Sequence, residues 1–136
     1  MTAASEPEEV AITTDGDVVR VRQLVRTYAT RAKLSLVDQT KLVTATSELA
    51  RNTLVYGGGG MATVAMVSDG ARKGVRASFH DDGPGIPDLT LALADGWSSG
   101  KGLGLGLSGA KRLVDDFDLD TEVGRGTEVT VVKWSR

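Results

Sequence analysis

The chain has 136 residues, of which 40% are hydrophobic and 25% charged, with a net charge of −2 and no cysteine. This length suits one domain, and the lack of cysteine excludes disulfides, thiolate metal sites and cysteine nucleophiles. The charge and the 4% aromatic content argue against a nucleic-acid-binding protein, and no apolar stretch approaches the ~20 residues that span a bilayer. Residues 1–9 lack the apolar core of a secretory signal, so we expect a flexible N-terminal segment and a single domain over residues 10–136 of a soluble cytoplasmic protein.

Two helices are predicted in the first half of the chain, after a short strand over residues 10–13. Apolar residues recur at helical spacing over residues 18–32, and polar residues 14–17 ahead of them supply turn and N-cap side chains. The second helix is predicted over residues 36–55, and the glycines at 57–60 end it because a run of glycines cannot hold a helix.

The second half of the chain is predicted to contain two hairpins, a long loop and a third helix. The first hairpin turns over residues 68–74, the loop runs over residues 82–102 with a short helix at 89–94, and the third helix covers residues 105–117. The four predicted strands are residues 61–67, 75–79, 119–123 and 127–134. Because strands pair in sequence and the helices are segregated from them, we expect an α+β fold, a two-layer α/β sandwich with a mostly antiparallel sheet.

A carboxylate and an amide lie one helical turn apart on the second predicted helix. Glu48 and Asn52 share one face of this helix, and that face lies away from the apolar stripe through Leu42 and Leu49. A carboxylate that faces a cleft could accept a proton from an attacking hydroxyl, and an amide oxygen is a suitable ligand for Mg²⁺. A solvated polar face would show the same spacing, so the pair alone does not decide between these interpretations.

A turn rich in aspartate and glycine follows the predicted strand at 75–79. Asp81 could accept a hydrogen bond from an exocyclic amine such as that of adenine, while Gly83 and Gly85 would let the backbone approach a flat ring. Asp, Gly and Pro are also the usual residues of a tight turn, which Pro84 stiffens here. The segment is therefore interpreted either as part of a nucleotide pocket or as a plain turn.

A second glycine-rich segment leads into the third predicted helix. Gly102, Gly104 and Gly106 precede this helix, whose unpaired N–H groups and dipole favour a phosphate. A Walker P-loop is excluded because the Gly-Lys pair here is followed by glycine and not by Ser or Thr. The spacing also matches a dinucleotide fingerprint, but no strand precedes it and no βαβ unit surrounds it. A phosphate cradle and a flexible loop remain as the two interpretations.

Taken together, these segments resemble the GHKL, or Bergerat-fold, ATPases, a superfamily that includes histidine kinases, Hsp90, type II topoisomerases and MutL. The resemblance covers about residues 10–136 and is strongest to the small anti-sigma-type serine/threonine kinases, above all the switch kinases of stressosome pathways. It rests on Ser47-Glu48-Leu49-Ala50-Arg51-Asn52, Asp82-Gly83-Pro84-Gly85-Ile86-Pro87-Asp88, Gly109-Ala110-Lys111-Arg112-Leu113 and Gly126-Thr127-Glu128-Val129 through Lys133-Trp134. It implies a mixed sheet covered on one face by three helices, with residues 86–103 as an ATP lid.

The resemblance also implies a role for each candidate residue. Glu48 would be the general base and Asn52 the magnesium ligand. Asp81 would bind the adenine amine with support from Thr127, directly or through water. The adenine pocket and the phosphate cradle would be shaped by glycines and their neighbours, namely Gly83, Gly85, Gly102, Leu103, Gly104, Leu105 and Gly106.

The implied activity is that of an ATP- and Mg²⁺-dependent protein kinase acting on a Ser or Thr of a STAS-domain antagonist or scaffold protein. Such a kinase works in a partner-switching stress or sigma-factor pathway, and a downstream phosphatase or another effector could be a further partner. The alternatives are an anti-sigma factor that sequesters a sigma subunit, and a module that senses ATP or ADP without transferring phosphate. No nucleic-acid or membrane partner is expected, and the sequence leaves the oligomeric state open.

Overall fold

The computed structural model describes residues 2–86 and 106–136, and within these ranges the chain forms six strands and three helices. The strands are β1 (Thr2–Ala4), β2 (Glu8–Ile12), β3 (Gly60–Asp69), β4 (Arg72–Asp81), β5 (Asp116–Glu122) and β6 (Gly126–Trp134). The helices are α1 (Asp15–Arg31), α2 (Leu36–Val55) and α3 (Leu107–Leu113). None of these three helices is both long and apolar enough to cross a membrane.

The strands form one sheet in the order β1-β3-β4-β6-β5, with β2 also paired to β3. The two short strands β1 and β2 lie end to end along the same edge of β3. Every pairing among the described strands is antiparallel, which confirms the expected α+β fold with a mostly antiparallel sheet. Because β6 lies between β4 and β5, its Thr127 is opposite Asp81 on one side and Thr121 on the other.

The helices pack on one face of this sheet and form the core with it. The predicted apolar stripe of α1 is buried at Val18, Val21, Val25 and Tyr28. The predicted inner line of α2 is buried at Leu42, Thr46, Leu49 and Thr53. Alternate strand residues meet these helices, and the buried ones include Val64, Ala77, Phe79, Val129 and Val131.

Both long helices begin at side-chain caps. The hydroxyl of Thr14 accepts a hydrogen bond from the N–H of Asp17 at 3.3 Å, and the Asp17 carboxylate accepts one from the Thr14 N–H at 3.0 Å. The hydroxyl of Ser35 accepts from the N–H of Asp38 at 3.1 Å. These contacts satisfy helix N–H groups that have no intrahelical partner. The predicted N-cap of the first helix and the predicted bounds of the second, residues 36–55, are confirmed.

The N-terminal segment departs from the sequence expectation. Residues 1–9 were expected to be flexible, but Thr2–Ala4 and residues 8–9 lie in strands. Without β1 and β2, β3 would form the edge of the sheet, and an edge strand offers unpaired N–H and C=O groups that any extended backbone can pair with, whatever its side chains. The N–H of Ser5 also donates to the Met66 carbonyl oxygen at 2.8 Å. Backbone pairing therefore orders a segment that carries no apolar pattern.

Two predicted boundaries in the second half are wrong. The third helix was predicted over residues 105–117, but it ends at Leu113, and Asp116–Glu122 is a strand. Exposed acidic residues alternate in this strand with half-buried residues of other types, which is the period of two expected of a strand. The prediction extended the helix to Phe117 because an aromatic residue suits either element. The predicted turn at 68–74 shrinks to two residues, because the polar residues around it continue the antiparallel ladder.

A buried charge network joins the start of α2 to the end of the chain. Lys133 is 4% exposed, and its Nζ lies 3.7 Å from Asp38 and 3.6 Å from Asp115. Arg136 lies 2.7 Å from the same Asp115 carboxylate. Burial alone would raise the pKa of Asp115, but the N–H of Trp134 and the two cations hold this pKa below its usual value of 3.8. Asp115 therefore contributes stability above pH 3.8 that is lost as the pH falls through its lowered pKa.

Replacing Lys133 with alanine is expected to lower the free energy of unfolding by about 3–5 kcal/mol, because two carboxylates would lose their buried cation. Urea unfolding at pH 7 measures this loss. Arg136→Ala is the matched control, since its side chain is 64% exposed and an exposed ion pair contributes at most about 1 kcal/mol. Equal losses in the two variants would contradict a network centred on Lys133.

Candidate active site

A pocket opens between α2, the ends of β4 and β6, and the start of α3. Its empty volume, including open solvent at the mouth, is about 450 Å³. Its walls are largely apolar, and three polar candidates, Asn52, Asp81 and Thr127, lie among them. The lining comprises Leu49, Asn52, Thr53, Tyr56, Gly57, Phe79, Asp81, Pro84, Gly85, Ile86, Leu107, Thr127 and Val129. Candidates from three distant parts of the sequence therefore meet in one place.

Asp81 is the buried acidic group of this pocket. It ends β4 on the face that packs against the helices, and it is 8% exposed. Its Oδ1 accepts a hydrogen bond from the N–H of Gly83 at 2.9 Å. Burial raises the pKa of Asp81, although nearby backbone N–H groups oppose the shift. A carboxylate has about four acceptor positions, so Asp81 keeps acceptor capacity for an amine donor in the pocket.

The backbone around Asp81 comes so close that only glycine fits. A Cβ on Gly57 would lie 2.4 Å from the Asp81 Cγ, and a Cβ on Gly83 would lie 2.8 Å from the Gly57 Cα. Gly57 also lines the pocket, but the sequence analysis treated residues 57–60 only as the end of a helix. A run of four glycines is longer than a helix end requires, and this length was the sequence signal for a further role of Gly57.

Gly85 shapes the pocket by letting its loop lie against the β5–β6 turn. Its φ is +76°, and a Cβ there would lie 2.4 Å from the carbonyl oxygen of Glu122. The carbonyl oxygen of the preceding Pro84 accepts a hydrogen bond from the N–H of Gly124 at 2.9 Å. The turn that carries Gly85 is therefore held against the far edge of the sheet, with Ile86 on the pocket wall.

A pair of threonines orients the acceptors beside Asp81. The hydroxyl oxygens of Thr127 and Thr121 are 2.8 Å apart. Thr121 donates its hydroxyl proton to the Gly126 carbonyl oxygen at 3.1 Å and accepts from the Ile86 N–H at 3.0 Å. Since that proton is committed, the Thr127 hydroxyl donates to Thr121 and keeps lone pairs for a ligand or water. Thr121, which the sequence analysis missed, thus orients the candidate Thr127.

Glu48 and Asn52 lie at the edge of the pocket, next to the start of α3. Asn52 is half-buried and lines the pocket. A Cβ on Gly106 would lie 2.8 Å from the Glu48 Oε2, and the φ of Gly106 is +66°, so both contact and conformation favour glycine there. The predicted base, the predicted metal ligand and one residue of the predicted phosphate cradle are therefore neighbours.

Four candidates, Gly102, Leu103, Gly104 and Leu105, lie outside the described residues, as does all but the first residue of the predicted lid over 86–103. Their predicted roles in holding phosphates and covering the pocket stay predictions. The described chain resumes at Gly106, and Leu107 of α3 lines the pocket directly. The start of α3 is thus adjacent to the place where a bound nucleotide would lie.

Residues 37–135 match the family described as histidine kinase-, DNA gyrase B-, and HSP90-like ATPases. The chain belongs to this family. The matched range contains every residue of the pocket wall, from Leu49 to Val129. The pocket is therefore built entirely from the part of the chain that this ATPase family shares.

Two more comparisons agree with membership of the ATPase family. The serine/threonine-protein kinase RsbT of Bacillus subtilis (strain 168) is 45% identical over 127 residues, which are 93% of this chain and 96% of that protein. A solved structure of the RsbU and RsbW domains of a Mycobacterium tuberculosis protein matches 95% of this chain with a TM-score of 0.63 and 23% identity. The match covers 32% of that longer chain, and at this identity it shows a shared fold.

A methyl group at position 57 is expected to abolish tight nucleotide binding in this family member. Gly57→Ala would place a Cβ 2.4 Å from the Asp81 Cγ and so displace the carboxylate, which we expect to raise the Kd for a fluorescent ATP analogue by about tenfold or more. Gly16→Ala is the matched control, because its Cβ would meet nothing closer than 3.6 Å. Unchanged binding by Gly57→Ala would show that the carboxylate does not contact the nucleotide.

Asp81→Asn is expected to stabilise the nucleotide-free protein at pH 7, because it removes the cost of burying a charge. Since the pKa of Asp81 is raised in the folded state, its protonation stabilises the fold fully below pH 3.8, and this contribution is lost as the pH rises through the raised pKa. The difference between variant and wild type should therefore vanish toward acid pH. Urea unfolding at pH 7 and pH 4 tests this, and a less stable variant at pH 7 would contradict it.

Proposed function

We propose that this protein is an ATP- and Mg²⁺-dependent serine/threonine protein kinase that phosphorylates a STAS-domain antagonist or scaffold protein in a partner-switching pathway. The observation that carries the proposal is the position of Glu48, one helical turn before the pocket residue Asn52 and beside Gly106. Membership of the ATPase family and 45% identity to a protein named as a serine/threonine kinase support it.

The pocket suits the adenine of ATP. Its apolar walls can bury a flat ring, while Asp81 and Thr127 offer acceptors to the amino group of that ring. The glycines around Asp81 let the end of α2 and the turn after β4 pack directly against its side chain. These features support Asp81 as the adenine-reading residue and Gly57, with Gly83, as the residues that allow its carboxylate to lie in the pocket wall.

Asn52 is the residue that would hold Mg²⁺, through its side-chain oxygen. The described residues contain no cluster of three or more acidic or histidine side chains that could hold a metal. This suits Mg²⁺, which commonly takes one or two protein ligands together with phosphate oxygens and water. Bound there, the ion would neutralise charge on the transferring phosphoryl group.

Glu48 would act as the general base in the transfer. Its carboxylate accepts the proton of the substrate hydroxyl, whose oxygen forms a bond to the terminal phosphorus while the bond from that phosphorus to the bridging oxygen breaks and ADP leaves. Positioning and charge neutralisation supply most of the rate in such reactions. The start of α3, next to Glu48, would support the phosphates through its N–H groups.

Phosphorylation would change how the substrate associates with its partners. It adds about −1.5 to −2 charges to a Ser or Thr, which is enough to break a complex held by a matched surface. We further propose that the kinase acts in the cytoplasm, where ATP is supplied, and that its release from the phosphorylated partner allows it to bind an effector such as a phosphatase.

Glu48→Gln is expected to abolish phosphoryl transfer while nucleotide binding survives, because an amide cannot accept the hydroxyl proton. Labelled ATP is added with the protein to an extract of the source cells, and transfer to Ser or Thr of a small STAS-domain protein is measured. Glu9→Gln, an exposed carboxylate on the edge strand β2, is the matched control.

Three outcomes distinguish the functions. Label on a STAS-domain protein that requires Glu48 supports the kinase, whereas equal transfer by Glu48→Gln would remove Glu48 from its assigned role. Nucleotide binding without transfer to any STAS-domain protein would favour a nucleotide-sensing module. Co-purification of a sigma subunit in that case would favour an anti-sigma factor.

A further inference from the structure

The solvent face of α2 carries the candidate base in its middle. Six residues of α2, spaced three or four apart, fall within an arc of about 80° around the helix axis, since each residue advances by about 100°. They are Val37, Lys41, Thr44, Glu48, Arg51 and Val55. All except the half-buried Glu48 are exposed, including the apolar Val37 at 63% and Val55 at 61%.

The nucleotide pocket lies on an adjacent face of the same helix. Its α2 residues are Leu49, Asn52, Thr53 and Tyr56, the last at the C-cap, and their directions centre about 90° away from Glu48 at ~100° per residue. Glu48 therefore occupies the boundary between the pocket and the solvent face. Among the described residues, the remaining sides of α2 pack against the sheet, α1 and α3, so we expect a protein hydroxyl to approach Glu48 across the solvent face.

Two cations flank the base on this face. Lys41 lies about 10 Å before Glu48 along the helix axis and Arg51 about 5 Å after it, at ~1.5 Å per residue. Within the described parts of the chain, neither cation has an ion-pair partner. The nearby carboxylate Asp38 is engaged by Lys133 at 3.7 Å. The face thus presents two positive charges about 15 Å apart on either side of Glu48, and neither forms an ion pair within the described residues, although the whole chain has a net charge of −2.

We infer that the solvent face of α2, from Val37 to Val55, is the docking surface for the protein substrate and selects an acidic surface around the acceptor hydroxyl. This rests on the proposed kinase function. Carboxylates on either side of the acceptor Ser or Thr would pair with Lys41 and Arg51, which places the hydroxyl at Glu48. The exposed valines at the two ends supply apolar contact outside the charged pairs. Complementary charges of this kind set the register of an interface and raise its rate of association.

The test is charge reversal on this face, with the STAS-domain protein that the wild type labels as the probe. In Lys41→Glu/Arg51→Glu, the KM for that protein should rise about tenfold or more, because two attractive pairs become repulsive. The affinity for ATP should be unchanged, since neither residue lines the pocket. The control is the double variant Lys73→Glu/Arg125→Glu, which makes the same change in charge at two exposed sites on the sheet hairpins. It should leave the KM unchanged.

A binding measurement separates docking from chemistry. In the Glu48→Gln background, charge reversal should raise the Kd for the fluorescently labelled STAS-domain protein by the same factor. Raising the salt from 50 to 500 mM should weaken binding by the protein with Lys41 and Arg51 more than binding by the charge-reversed variant. An unchanged KM and Kd in the reversed variant, with transfer by the wild type intact, would overturn the docking surface alone. No transfer by the wild type to any protein would overturn the proposed function, and the docking surface with it.

Discussion

The arrangement of the site depends on how closely three backbone segments approach the buried residue Asp81, two of them at its carboxyl group and one at its backbone carbonyl. Gly57 after α2, Gly83 after β4 and Gly126 at the start of β6 each lie where a Cβ would come within 3.0 Å of an Asp81 atom. These contacts bring the C-terminal end of α2 against the sheet, and with it the helical turn that carries Asn52. Burying the carboxylate opposes its ionisation, and a local loss of stability of this kind is common where a group is held ready for a ligand.

The sides of helix α2 face three different environments, and this explains its mixture of apolar, polar and charged residues. One side packs into the core through residues such as Leu42, a second side lines the nucleotide pocket, and a third faces solvent. Its two ends are fixed by different means, the first by the charge network of Lys133 and the second by the glycines that follow Tyr56. A helix held at both ends keeps Glu48 at a constant position beside the pocket, which the proposed phosphoryl transfer would require.

Much of the fold could be predicted because it rests on local patterns. The bounds of α2 and the buried stripe of α1 follow from helical periodicity and from side chains that cap helices, which act within a few residues. The strand Thr2–Ala4 could not be predicted from such a pattern, since backbone pairing with β3 holds it. Pairing between distant segments leaves little trace in the residues of either one.

The sequence by itself determined which residues have the chemistry of the site, because carboxylates, an amide and conformationally free glycines are recognisable without a fold. Glu48, Asn52 and Asp81 were proposed in this way, and residue spacing placed the first two on one face of a helix. Only the tertiary structure decided which glycines touch Asp81, that Thr121 lies within hydrogen-bond distance of Thr127 on the neighbouring strand, and that the candidate base Glu48 lies beside Gly106. These are relations between segments far apart in the chain, and their geometry exists only once the sheet and helices have packed together.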